Sequence, residues 1–352
     1  MLGFVARRLV GAVVLAFVLT LITYVMFFVL PEDHRPLQQG QSGFVPDLQT
    51  QYHAQGSFVM GYVHFVERVV LHGDLGQSMH TEKPVTTVIR DTLPVTASLV
   101  LGGLVFWLVM AFPIGLLGAL RPRSLVDRGL MLFVLLGLCA HPVWLGLMSS
   151  WFFGVKLRWL PVAGYCDLRY DPESTNLCGG PRYWAYHMIL PWLTFAFLFA
   201  ALYARMIRGS VLEVLNEDYV RTALAKGAGR ARVIRKHVLR NAMLPVITMI
   251  GMDVGIAFGG TLFIETVFDL PGMGQLLVSS LGGAGPDLPV IMGIVLVVCF
   301  AVVIANLIAD IVYAIIDPTV NLTGRRRVSL WSRLRVGRPQ PPVESQGAQA
   351  SS

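Results

Sequence analysis

Six stretches of this 352-residue chain each run for roughly the depth of a bilayer with almost no charge, and they restrict its fold more than any other feature. A helix needs about 20 apolar residues to cross ~30 Å of hydrocarbon, since each adds about 1.5 Å. Leu9–Leu30, Val95–Leu120, Gly129–Val155, His187–Ala204 and Leu288–Ala309 contain no Asp, Glu, Lys or Arg. Asn241–Ile264 contains one acid, Asp253, and the last run continues through Asp310 to Ile316. Charged residues are only 14% of the chain, against about 25% in an average globular protein. A soluble domain could not cover so much apolar side chain, so the expected fold class is all-α, a polytopic membrane protein with six spans.

The first run is read as a retained span. Arg7 and Arg8 precede it, but 22 apolar residues exceed the 7–15 of a secretory signal, and no small-x-small cleavage site stands out before Pro31. A formal charge of +7 would suggest nucleic acid in a soluble protein; here it reports topology. With the N-terminus inside, segments 1–8, 121–128, 205–240 and 317–352 carry two, three, nine and six Lys and Arg, twenty of the 28 in the chain. That positive-inside bias places both termini in the cytoplasm of a cell membrane and argues against a nucleic-acid partner; the bilayer is the partner that the composition demands.

Three regions follow. Residues 1–93 hold the first span and a long extracytoplasmic segment, Gln- and Gly-rich from Gln38 to Gly43 and more ordered around Val59–Val70. Residues 94–316 hold the remaining spans, and 317–352 form a basic tail whose Pro, Gln, Ser and Ala content is that of a disordered segment. No pair of inverted halves with broken helices is visible, as would be expected for many secondary transporters.

Catalytic signatures are absent. The sequence contains no Walker A pattern, no His-Glu-x-x-His and no Gly-x-Ser-x-Gly, and its eight histidines lack metal-ligand spacing. The chain is therefore expected to be no enzyme and to hold no catalytic residues, metal or cofactor of its own. Cys139 and Cys299 fall inside spans; Cys166 and Cys178 share an extracytoplasmic loop, where they are either independent thiols or a bridge. In the chain-entropy model such a bridge contributes about 3 kcal/mol.

Segment 205–240 is the most informative. Asn216-Glu217-Asp218 can cap a helix and place negative charge at its start, and Tyr219–Lys226 then reads as a short helix with a small-residue face. Gly227 and Gly229 end it. A short helix held between two spans suits docking into a partner's groove better than it suits a solvated tether. Arg221-Thr222-Ala223, followed after three residues by Gly227, resembles the "EAA" loop of permease subunits in binding-protein-dependent ABC importers. The longer string Glu217–Ala223, Ala225-Lys226-Gly227, His237, Leu239–Ala242 and Pro245 is similar to the dipeptide/oligopeptide/nickel branch. So are Gly73–Ser78, Pro84-Val85, Leu93–Thr96, Leu160–Tyr165, Glu265–Phe268 with Pro271–Gly274, and Asp310 with Tyr313 and Asp317-Pro318.

The resemblance spans about residues 1–320 and implies a type I ABC importer transmembrane domain in a bacterial inner membrane. It implies a second permease, two ATPase subunits that bind ATP and Mg, an extracytoplasmic solute-binding protein, and small peptides as cargo, with nickel chelate, sugar or haem as the exceptions. Tyr219, Arg221, Thr222, Ala223, Lys226 and Gly227 would form the coupling helix, with Ala223 and Gly227 allowing close approach. Arg221 stands where the wider family has an acid; His141 precedes Pro142 where a small polar residue is expected, and Asp253 is outside the pattern. A carboxylate in mid-span faces a cavity or a partner, so Asp253 either lines the path or bonds within the bundle; His141 is the other path candidate. Gly251, Gly255 and Gly259 form a small-residue face on the same helix. The rival from another class, an ATP-independent channel or secondary transporter, would need coupling-ion residues or a selectivity ring, and neither is visible.

Overall fold

A computed structural model describes residues 2–26, 58–168, 178–282 and 286–316. Every regular element among them is helical; the only β pairings are isolated bridges, Gln77 with Pro84 and Asp167 with Gly179. In chain order the helices are α1 (Leu2–Tyr24), α2 (Phe58–Glu67), α3 (Val85–Leu120), α4 (Leu125–Cys139), α5 (Pro142–Ser149) and α6 (Pro181–Leu215). Then come α7 (Asp218–Ala225), α8 (Arg230–Val233), α9 (Leu239–Phe268), α10 (Met273–Leu281) and α11 (Leu288–Ile316). Wider π-type turns extend α2, α5 and α8, over Arg68–His72, Ser150–Lys156 and Ile234–Val238. The Gln38–Gly43 stretch, the end of the first apolar run and the 317–352 tail lie outside the described residues.

Four described helices are long and apolar enough to cross a membrane: Val85–Leu120, Pro181–Leu215, Arg230–Phe268 and Leu288–Val312. A fifth span is present if the bent pair α4 and α5, with its π-type extension to Lys156, is counted as one, and Leu9–Tyr24 forms a shorter apolar helix. The described residues thus give four or five spans where the sequence suggests six.

The third apolar run is not a straight helix. It breaks by 108° between Cys139 and Pro142. Proline has no N–H to continue the ladder and pushes its predecessor toward extended backbone, which His141 adopts with φ −79° and ψ 137°. His141 then caps the new helix, its Nδ1 accepting the Val143 N–H at 3.3 Å, while its ring meets Phe263 edge-on.

The main core lies where α3, α6 and α9 meet, around Leu99, Trp107, Phe195, Tyr203, Ile207, Ala257 and Ile264. A second cluster joins α1, α2, α10, α11 and the start of α3 through Tyr24, Tyr62, Phe65, Val85, Met273 and Val290. Outward, Leu101, Val105 and Val109 on α3, and Met252 and Ile256 on α9, are exposed at helical spacing. Large aliphatic stripes of this kind suit lipid or another apolar helix and not water.

Buried polar ties fix the helix ends. Glu265, fully buried near the end of α9, accepts from Thr96 Oγ1 (2.7 Å), Gly274 N (2.7 Å) and Gln275 N (3.1 Å). Its carboxylate thus satisfies free N–H groups at the start of α10, where negative charge is favoured. A side chain at Gly274 would run into the backbone of Leu262, so this approach requires glycine. Asp287, also buried, precedes α11 and accepts from Ser78 Oγ (2.6 Å) and His80 N (3.3 Å), which anchors the Gly73–Ser78 segment to the last span. At the other face, Asp127 and Arg208 form a two-point ion pair, Nε–Oδ1 2.7 Å and Nη2–Oδ2 2.8 Å.

Candidate functional site

The polar connection between α6 and α9 carries the exposed helix α7. α6 runs 35 residues without interruption, about 52 Å at 1.5 Å per residue, and ends at Leu215. Asn216 is spent on that ending: its Nδ2 donates to Leu212 O at 2.9 Å. Glu217 occupies the cap of α7 without a side-chain bond, so Asp218 supplies the expected negative first turn and the three-residue cap does not act as a unit.

The two faces of α7 differ. Val220 is buried and Ala223 is half-buried against the chain's own core, while Asp218, Tyr219, Arg221, Thr222, Leu224, Ala225 and Lys226 are exposed. The structure therefore gives Ala223 an inward role, since a larger side chain there would lift α7 from the bundle. Thr222 Oγ1 donates back to Asp218 O (2.8 Å) and stiffens the turn. Tyr219 Oη accepts from Asn241 Nδ2 at 2.7 Å, joining the start of α7 to the start of α9. No local spacing points to this tie, since Tyr219 and Asn241 stand 22 residues apart in the chain.

Gly227 has φ +82°, and a Cβ placed there meets nothing within 4 Å. Its glycine is needed for the left-handed turn, not for close approach within this chain. Around α7 the cations Arg221, Lys226, Arg230, Arg232, Arg235, Lys236 and Arg240 are all exposed. The surface offered to a partner is consequently a short helix with Tyr219 and Leu224 at its apolar points, set in a basic field.

Within the bundle Asp253 is 9% exposed and accepts a 2.7 Å hydrogen bond from Tyr203 Oη, across from α9 to α6. Beside it, Trp107 stacks on Phe199 with 4.5 Å between centroids and lies against the Tyr203 ring. Gly251 and Gly255 are packed against Ala309 and Val302 of α11, whereas Gly259 has open space, so two of the three glycines form the close face. His141 stays apart from Asp253: it touches Phe263, ten residues farther along α9, or about 15 Å.

Outside the bundle, Cys166 and Cys178 are joined as a disulfide, with Cα atoms 5.3 Å apart. Mass spectrometry of unreduced protein is expected to show this linked pair protected from alkylation; alkylation of both thiols would exclude the bridge. Among the described residues no group of three or more His, Cys, Asp or Glu could hold a metal ion.

The profile of the binding-protein-dependent transport system inner membrane component matches residues 111–322, and that of its N-terminal part matches residues 1–100. The chain belongs to this family. It is 34% identical over 339 residues to a dipeptide transport system permease protein of Escherichia coli, covering 91% of this chain and 99% of that one. A di/tripeptide transport system permease of Pseudomonas aeruginosa is also 34% identical over 338 residues, with the same coverage. A dipeptide permease of Alkalihalophilus pseudofirmus is 31% identical over 334 residues, covering 91% and 99%. Among solved structures, an inward-facing form of the MetNI methionine ABC transporter aligns with TM-score 0.51 and 16% identity, over 65% of this chain and 96% of that one. That likeness establishes the fold, a helical ABC importer transmembrane domain. The relatives are transport permeases, and this chain is a multi-pass membrane permease subunit.

Proposed function

We propose that this permease carries small peptides inward, pairing with a second permease while two cytoplasmic ATPases drive the cycle and an extracytoplasmic binding protein delivers cargo. ATP and Mg are held by the ATPases. The observation that carries this reading is α7: an exposed helix with one buried face, tied at Tyr219 to α9 and joined at its start to the end of α6 by the two-residue turn Asn216-Glu217. Docked in a groove on an ATPase, such a helix passes nucleotide-driven movement to two long helices at once. Both termini are cytoplasmic in this arrangement, in keeping with the basic inner segments. Peptide cargo is supported by the relatives, which are dipeptide and di/tripeptide permeases over nearly the whole chain.

Reconstitution with the partner permease, the ATPases and the binding protein is expected to give peptide uptake that requires ATP. Uptake by this chain alone without ATP would replace the reading with a self-contained transporter.

Asp253 separates two roles for the membrane interior. The Tyr203 bond supports a structural role, in which Asp253→Asn keeps the substrate range and lowers stability by about 1–2 kcal/mol through a weaker hydrogen bond. Competition uptake with N-acetylated and free peptides measures this. A selective loss of free-amine peptides in that variant would assign Asp253 to the path.

A further inference from the structure

We propose that Asp127 and Arg208 are positioning residues for energy coupling, locking the α3–α4 turn to α6 so that the turn and α7 move as one rigid body. This rests on the reading of α7 as the ATPase-docking helix. Asp127 is 5% exposed and engages Arg208 through both carboxylate oxygens, 2.7 and 2.8 Å. A two-point pairing of planar groups fixes orientation as well as distance, which a single bond does not.

The Asp127 end is itself immobilised. Oδ2 accepts the Arg123 N–H at 2.9 Å, and the Asp127 N–H donates to Ser124 Oγ at 3.1 Å, so the carboxylate is part of the turn's frame. Gly118 on α3 lies against the same pair: a Cβ there would sit 3.2 Å from Asp127 Oδ1 and 3.3 Å from Arg208 Cδ. The Arg208 end stands on α6 seven residues before its last residue, Leu215, with no break between them. Displacement of α7 therefore reaches Arg208 through the two-residue turn Asn216-Glu217 and the last turns of α6, and reaches α3 and α4 through the ion pair. Simple packing would hold these helices together but leave them free to slide; the paired forks remove that freedom.

The test uses the assembled transporter of permease pair, ATPases and binding protein. Spin labels at exposed Leu125 and Ala225, after replacement of Cys139 and Cys299, report the separation of the turn from α7. One narrow separation common to the nucleotide-free and ATP-bound states is expected, and a separation that shifts between them overturns the proposal. Asp127→Asn and Arg208→Lys are expected to lower the ratio of peptide-stimulated to basal ATP hydrolysis about tenfold, within the range by which single network residues alter coupling. The double exchange Asp127→Arg with Arg208→Asp restores the ion pair but not the acceptor of the Arg123 N–H, and is expected to recover only part of that ratio. An unchanged ratio in assembled Asp127→Asn transporter overturns the proposal, and a merely structural pair would change yield without changing the ratio. ATP-dependent uptake by the unmodified assembly is the control: its absence would defeat the functional reading and not the ion-pair role.

Discussion

Gly227→Asp is expected to abolish peptide uptake and to leave basal ATP hydrolysis no longer stimulated by loaded binding protein. At φ +82° a side chain costs about 1–2 kcal/mol whatever the space around it. The turn leaving α7 would relax toward negative φ and re-aim the helix against its partner. Aspartate adds a negative charge just beyond the C-terminal end of α7, where the helix dipole already disfavours it, and within a field of exposed Arg and Lys. Gly227→Asn is the informative control, because asparagine accepts left-handed backbone better than other residues and carries no charge. It is expected to retain a substantial share of uptake. Radiolabelled dipeptide entry into cells carrying each variant, compared at equal membrane abundance, measures both, and full uptake by the Asp variant would refute the assignment of α7.

The largest stability effect is expected from Glu265→Gln. Both carboxylate oxygens are buried and occupied, one by Thr96 Oγ1 and the other by two backbone N–H groups of α10. An amide must direct its NH2 toward donors on one side or the other, so at least one buried donor loses its acceptor. The loss is about 3 kcal/mol, the upper range for hydrogen bonds to a charged group. Thr96 would pass the damage on, since its Oγ1 also accepts the Met273 N–H at 2.8 Å. Thermal unfolding of the purified permease pair should show a clearly lowered midpoint, and transport should fall in proportion to surviving complex. An unaltered midpoint would mean that the Glu265 network contributes little.

Apolar runs revealed the long helices because a bilayer's depth leaves a plain count of residues. They do not show the bend in the third run, since charge-free length does not distinguish one straight helix from two pieces bent at Pro142. The helix ends were also legible only in part. Val95 marks the start of uninterrupted apolar sequence, but α3 begins at Val85, because Thr86, Thr87, Arg90 and Asp91 are compatible with a helix outside hydrocarbon. The short helix in segment 205–240 emerged within a residue of its structural bounds, from Asp218 before it and Gly227 after it. What lay hidden were the long-range polar partners. Thr96 and Glu265 are 169 positions apart and Ser78 and Asp287 are 209 apart, and no local periodicity records such pairings. Ala223 illustrates another limit: smallness can be read from one residue, but whether it serves a partner or the chain's own core depends on which side of α7 meets the bundle.

The Tyr219–Asn241 bond makes the connection between α6 and α9 a closed ring instead of an open strand. A load applied to α7 is then shared between two attachment points, one covalent at Leu215 and one at the foot of α9. Both points lie at the start of α7, Tyr219 being its second residue, so a push on the helix is delivered to the end of α6 and the foot of α9 together. Cleavage of the chain between Gly227 and Gly229 would open that ring, which runs through residues 219–241, and leave the Tyr219–Asn241 bond without its covalent return path.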